Sequence, residues 1–259
     1  MTELQSIHNP RLQEIRKAAR AGRPLADGLV VAEGPHLLED ALESEWTVVE
    51  ILATEAAQDR FAGLLDGATG KITRVSERAL ASLSTTDTSQ GVMILLRERR
   101  WEWNDLFQRV PLVVLLDAIQ DPGNVGTVIR SAEAFGATGV VFGEGSVRVS
   151  NGKLLRAAAG SLFRMPFIEN AKAGEVRAQL RAHGVRLYAL AAEGSAELSK
   201  ANLREGCALA VGNEGAGLSR ELADGAESVR IPTQRVESLN AGVACSIALF
   251  EAARQRGQK

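Results

Sequence analysis

Three polar stretches hold most of the side chains that could do chemistry: DAIQDPGNVGTVIR (117–130), VGNEGAGLS (211–219) and IPTQRVESLN (231–240). Each follows an apolar run of strand type, and ligands of parallel α/β sheets gather at the carboxyl ends of strands. Arg130 lies two turns into a helix made largely of Val, Ile, Ala, Phe and Gly, where a cation calls for a phosphate or carboxylate partner. Glu214 is the lone acid among the glycines at 212–217. These lack both the Gly-Lys-Ser/Thr ending of a P-loop and a Gly-x-Gly-x-x-Gly spacing, so they suit positive φ or a close approach of backbone to ligand. Two polar residues have plain structural readings: Asn124 is a good cap for the helix carrying Arg130, and Ser238 could cap the last helix. His8, His36 and His183 all fall outside the three stretches, which disfavours a histidine base, and Cys207 and Cys245 have no metal-ligand or disulfide spacing.

Holding these stretches in place requires an α/β scaffold. From Pro111 onward LVVLLD (112–117), GVVFG (139–143), VRLYALAA (185–192), CALAVG (207–212) and SVRIP (228–232) are continuously apolar, as expected of parallel strands covered on both faces, and helical segments ending on glycine separate several of them. The final helix carries Leu239, Val243, Ile247 and Phe250 as a stripe for core or dimer interface, with Gly242, Ala244 and Ala248 beside it to permit close helix packing.

Before residue 98 a smaller α/β unit is expected, opening with a helix from Asn9-Pro10 to Gly22 that turns Leu12, Ile15 and Ala19 to one side. The charged, tryptophan-bearing stretch RERRWEWNDLFQRV reads as a junction. Its Arg97, Arg99 and Arg100 are either a solvated cluster or phosphate contacts. The expected division is thus 1–97, a linker at 98–110, and a second domain at 111–259, and two domains suit a chain of 259 residues.

A net charge of −2 gives no global field for nucleic acid, so any such contact must come from clusters, of which Arg11, Arg16, Lys17, Arg20 and Arg23 form one. No stretch approaches the roughly 18–20 apolar residues of a membrane span, and MTELQSIHNPR lacks the apolar core of a signal peptide. A cytoplasmic protein without membrane contact is expected.

Together, in order, NVGTVIRSA, GNEGAGLS and IPTQRVESLNAGVACSIALFEA resemble the three motifs of the SpoU class of RNA ribose 2′-O-methyltransferases, the TrmH-like branch of the SPOUT superfamily. The front segment, NPRLQEIRK followed by VAEGPHLLEDAL, is similar to the small ribosomal-protein-like RNA-binding domain of several members. The resemblance implies a C-terminal α/β trefoil-knot domain that binds S-adenosylmethionine in its knotted loops, with the last helix at a homodimer contact. It places Asn124, Arg130, Glu214, Ser238 and Asn240 in the active site. Gly212, Ile231 and Leu239 fall on cofactor-lining positions, and Arg11, Arg16, Lys17 and Arg20 fall in the RNA-binding domain.

The implied reaction moves a methyl group from S-adenosylmethionine to a ribose 2′-hydroxyl without a metal. The leading role goes to Arg130, as base or as phosphate clamp. A guanidinium gives up its proton only above about 12, which favours the clamp. An extra N-terminal domain favours 23S-type ribosomal RNA as substrate. The alternatives are a tRNA ribose methyltransferase, a base-methylating SPOUT relative, and a catalytically silent RNA-binding protein of the same fold.

Overall fold

The computed structural model describes residues 6–257, which form two compact units. The first comprises Met1–Arg100 together with Arg148–Arg164, and the second Trp101–Val147 with Met165–Lys259. Segment 148–164 therefore packs with the N-terminal unit although it lies inside the C-terminal sequence.

In the first unit, β1 (Val30–Glu33), β2 (Thr47–Ala53), β3 (Lys71–Arg74) and β4 (Val92–Arg97) form one sheet in the order β1-β4-β2-β3. β4 pairs antiparallel with both neighbours, and β2 pairs parallel with β3. The helix Pro10–Ala21 starts at Asn9, whose side chain accepts from the N–H groups of Arg11 and Leu12, and stops at left-handed Gly22. It buries Leu12, Ile15 and Ala18 against Leu52, Leu80, Leu83 and Met93. The expected third position, Ala19, is only partly buried beside this cluster, because the three-residue spacing from Ile15 meets the core more squarely than the four-residue one. Segment 148–164 joins through an Arg164–Asp40 ion pair at 3.2 Å and a Trp46–Phe163 ring contact at 4.9 Å. Of the cationic junction, Arg99 is paired with Glu45.

The second unit is one seven-stranded sheet. Its strands are β5 (Leu112–Asp117), β6 (Gly139–Gly143), β7 (Phe167–Ala171), β8 (Arg186–Leu190), β9 (Ala196–Glu197), β10 (Cys207–Gly212) and β11 (Glu227–Arg230). They lie in the order β7-β6-β5-β10-β8-β11-β9, and every pairing is parallel. Burial on both faces accounts for the unbroken apolar strands: β5 and β6 are buried along their whole length. β10 sits between β5 and β8, with Gly212 opposite Asp117, so the polar loops after β5 and β10 leave the sheet side by side. β7 and two-residue β9 were not evident in the sequence. Within FIENA only the two end residues are buried, and two residues set no period. Residues 101–110 do not run free: a helix spans Trp103–Leu106, the Trp103 indole donates to Glu175 at 2.9 Å, and Phe107 stacks on His183 at 4.0 Å.

The last helix, Ala241–Gln255, packs against the helix Pro122–Ala134 through its small residues. It buries Gly242, Cys245, Ala248, Leu249, Ala252 and Ala253, and a Cβ added at Gly242 would lie 3.2 Å from the Asn124 carbonyl. Ser131 and Ser246 share a hydrogen bond of 2.7 Å across this contact. The bulky stripe faces the other way: Val243, Ile247 and Phe250 are 45%, 37% and 53% exposed, so it does not belong to the core of the single chain.

Candidate active site

The site grows from the parallel ends of β5 and β10. Beyond β5 the backbone turns through Ala118 at φ 55, and Asp117, 8% exposed, accepts from the Ser219 N–H at 2.6 Å. Asn213 reaches the other way, donating from Nδ2 to the Ala118 carbonyl at 3.2 Å while its Oδ1 accepts from the N–H groups of Gly215 and Ala216. These crossed bonds lock the first and second loops together, and the second folds back on itself closely. A Cβ at Gly212 would fall 2.2 Å from the carbonyl carbon of Gly217, a separation that no side chain tolerates.

Both helix caps differ from expectation. Asp121 caps the helix Pro122–Ala134, accepting from the Asn124 N–H at 2.7 Å, because it lies just before Pro122 at the first helical position. Asn240, not Ser238, caps the last helix, accepting from Gly242 and Val243 at 2.9 and 3.2 Å. The Asn124 side chain is therefore free for other partners. Its Nδ2 donates to Glu214 Oε1 at 2.7 Å, and its Oδ1 accepts from Asn240 Nδ2 at 2.8 Å. One asparagine thus joins residues from all three sequence stretches.

Arg130 stands further along the same helix. It is exposed, and its guanidinium makes no hydrogen bond or ion pair among the described residues. The sequence suggested a cation in need of a partner, and no protein group here supplies one. Ser238 is likewise exposed and without a side-chain partner among the described residues.

Beside this network lies a cavity of about 630 Å³ at the ends of β8, β10 and β11. Gly212, Ile231 and Leu239 line it, as do Glu214, Ser238 and Asn240. Two contributions were not foreseen: Ala189, Leu190, Ala191 and Ala192 at and just beyond the end of β8, and the loop organisers Asp117 and Asn213. The position of Ala189–Ala192 at the carboxyl end of a parallel strand was the available signal. The volume falls within the ~300–1,000 Å³ typical of small-molecule sites. Its walls are mostly small or apolar side chains and backbone with a few neutral polar groups, and Glu214 and Glu237 are the charged residues among the described residues that line it. S-adenosylmethionine fits that composition: its adenosine needs apolar walls and backbone groups, and its sulfonium is a cation that carboxylates favour. A phosphate-bearing cofactor would want cations instead.

The basic cluster of the first helix divides. Arg11 pairs with Glu14 and Asp27 at 2.9 and 3.0 Å, and Arg16 donates to the Ser82 carbonyl and hydroxyl at 3.0 and 2.7 Å. Both hold the first unit together. Lys17 and Arg20 are exposed and make no side-chain bond among the described residues.

The chain belongs to the SpoU rRNA methylase family, whose model matches residues 111–250, and an MRM3-like substrate binding domain matches residues 9–94. It is 32% identical over 255 residues to the 23S rRNA (guanosine(2553)-2′-O)-methyltransferase RlmP of Bacillus subtilis (strain 168), covering 96% of this chain and 98% of that protein. Among solved structures, an AdoMet-bound rRNA methyltransferase from Sinorhizobium meliloti matches with a TM-score of 0.85 and 30% identity, covering 98% of this chain and 97% of that one. The SpoU methyltransferase AviRb from Streptomyces viridochromogenes, in complex with AdoMet, matches with a TM-score of 0.86 and 26% identity over 96% of this chain and 98% of that one. The fold class, the methyltransferase activity and the S-adenosylmethionine cofactor implied by the motifs all stand.

Proposed function

We propose that this protein methylates the 2′-hydroxyl of a nucleotide in 23S ribosomal RNA, with Arg130, Asn124, Glu214, Ser238 and Asn240 at the reacting centre. The observation that carries this reading is the unpartnered, exposed Arg130 guanidinium on the helix whose Asn124 is fixed by Glu214 and Asn240. When bound, S-adenosylmethionine supplies an electrophilic methyl group on a sulfonium.

The chain's own task is to hold and orient. Gly212, Ile231 and Leu239 line the cofactor cavity, and Glu214 and Glu237 favour a cationic ligand there. Arg130 offers a planar fork for bidentate contact with an RNA phosphate, anchoring the ribose beside the cavity. Ser238 and Asn240, on the cavity wall, supply hydrogen-bonding groups for the ribose. Holding two reacting groups aligned can contribute up to roughly 7–11 kcal/mol in the best intramolecular cases, so a positioning mechanism needs no strong base.

The protein acts as a homodimer through the last helix. Val243, Ile247 and Phe250 form an exposed apolar face on an otherwise well-packed helix, and Phe250 meets Phe135 edge-on at 5.8 Å to widen it. Such a face is covered by an equivalent face in a two-fold pair.

The test is transfer of labelled methyl from S-adenosylmethionine to a 23S rRNA transcript, with tRNA as comparison. Incorporation into the ribosomal transcript alone is expected. Incorporation into tRNA alone moves the substrate, and cofactor binding without transfer to any RNA leaves a silent RNA-binding protein.

A further inference from the structure

The helix Pro10–Ala21 carries cations that no side chain of its own unit pairs with among the described residues. Arg11 and Arg16 have protein partners, as described, but Lys17, Arg20 and the following Arg23 are exposed and make no side-chain bond among the described residues. The helix ends at Gly22, and there it meets a segment from far along the chain. Ser150, 6% exposed, donates from Oγ to the Gly22 carbonyl at 2.9 Å. A Cβ at Gly22, whose φ is 59°, would stand 3.0 Å from Asn151 Nδ2. The joint is thus a close backbone contact closed by a buried hydrogen bond.

That segment brings two more cations to the joint. Asn151 donates its N–H to the Arg148 carbonyl at 3.0 Å, and its Oδ1 accepts from the Lys153 N–H at 2.9 Å, which fixes both residues around the contact. Arg148 and Lys153 are exposed, and neither side chain has a partner among the described residues. Arg20 and Arg23 flank Gly22 on one side, and Arg148 and Lys153 flank Asn151 on the other. None of these four side chains takes part in the contacts that close the joint. Phosphates would supply the partners that the protein does not.

We propose that Arg148 and Lys153 join Lys17, Arg20 and Arg23 in one phosphate-binding surface for the RNA substrate, so that a segment of the methylase sequence serves the RNA-binding unit. Residues 148–153 lie within the match to the methylase family and outside the match to the substrate-binding model, yet they pack in the first unit. This inference rests on the reading of the protein as an RNA methyltransferase. Long side chains spread over two backbone segments suit the spaced phosphates of a nucleic-acid strand, and such contacts fix its position while reading no bases.

The experiment measures affinity of the full-length protein for an unmodified 23S rRNA transcript across a salt series, alongside S-adenosylmethionine binding. Arg148→Ala with Lys153→Ala is expected to weaken RNA binding and flatten the plot of log affinity against log salt by about 1.4–1.8, at ~0.7–0.9 per lost phosphate contact. Cofactor binding is unchanged. Lys17→Ala with Arg20→Ala should act in the same way, whereas Lys200→Ala with Arg220→Ala, which removes equal charge elsewhere, should leave the slope nearly intact. A wild-type slope for the Arg148/Lys153 variant, or a loss no greater than that of the Lys200/Arg220 control, overturns the proposal. Lys153→Glu alone, at an exposed position, repeats the test with minimal risk to folding. If the wild-type protein binds the transcript with a steep salt slope but transfers no methyl, the functional reading fails while the surface is still judged by the variants.

Discussion

Asn124 Nδ2 lies 2.7 Å from Glu214 Oε1, although 90 residues separate them in the chain. The contact exists because β10 inserts beside β5, which sets the loops after both strands next to each other, and because Asp121 relieves Asn124 of capping the helix. Asn240 adds the second bond at 2.8 Å and so holds the entrance of the last helix to the same point.

Asn124→Asp keeps the acceptor for Asn240 and replaces the donor to Glu214 by a second carboxylate. The bonds are solvent-exposed, so the expected result is a loss of only about 0.5–1.5 kcal/mol in stability, with a fall in methyl transfer of order 100-fold through misplaced reacting groups. Adding Glu214→Gln restores a donor across the pair and should recover part of both losses. Thermal melts and single-turnover transfer assays check this, and a double variant no better than Asn124→Asp alone would show that the bond is incidental.

Gly212→Ala tests the closed loop. Its Cβ would meet the Gly217 carbonyl carbon at 2.2 Å and the Leu218 nitrogen at 2.3 Å, so the second loop must open. Calorimetry should then show S-adenosylmethionine binding weakened at least about tenfold, equivalent to ~1.4 kcal/mol. Unchanged affinity would place the cofactor away from this cavity.

Much of this site was legible in the sequence, because polar loops after continuously apolar strands mark the ligand end of a parallel sheet. The three motifs also named Gly212, Ile231 and Leu239, which all line the cavity. The caps were not legible. Asn124 and Ser238 are suitable cap residues by type, and only the fold shows that Asp121 and Asn240 take those places. The order β5-β10-β8 was equally hidden, since local patterning does not report which strand inserts between which. Arg11 and Arg16 were indistinguishable from Lys17 and Arg20 as basic helix residues, and their partners Asp27 and Ser82 lie too far along the chain to be inferred.

Substitution of Ile247→Glu with Phe250→Glu should produce a monomer. Both side chains are exposed in the single chain, at 37% and 53%, so the fold survives while the apolar face gains two charges. Light scattering of wild type and variant decides it. A wild-type monomer at micromolar concentration would remove the dimer from the account.

The two cysteines make stability fall at high pH. Burial pushes the Cys245 thiol up to about 12, and burial also raises Cys207, with Arg256 pulling it partly back. In the unfolded chain a thiol ionises near about 8.5. Their contribution is complete below that value and lost as pH rises from there toward the folded values, because only the unfolded state releases the protons. Melting temperature should decline across that range, less so in Cys245→Ala relative to its own value near neutrality. Thiol reagents should label neither cysteine until denaturant is added, and rapid labelling of the native protein would contradict the burial.

The most direct measurement locates the transferred methyl group. A 23S rRNA transcript incubated with S-adenosylmethionine and the protein is split by alkali, digested and read by mass spectrometry, in parallel with Arg130→Ala and Arg130→Lys. One alkali-resistant linkage carrying a 2′-O-methyl nucleoside is expected with the wild-type protein. Almost none is expected with either variant, both of which melt near the wild-type temperature and still bind S-adenosylmethionine, since exposed Arg130 has no partner among the described residues to lose. A methyl group on a base, or full transfer by Arg130→Ala, would contradict this reading.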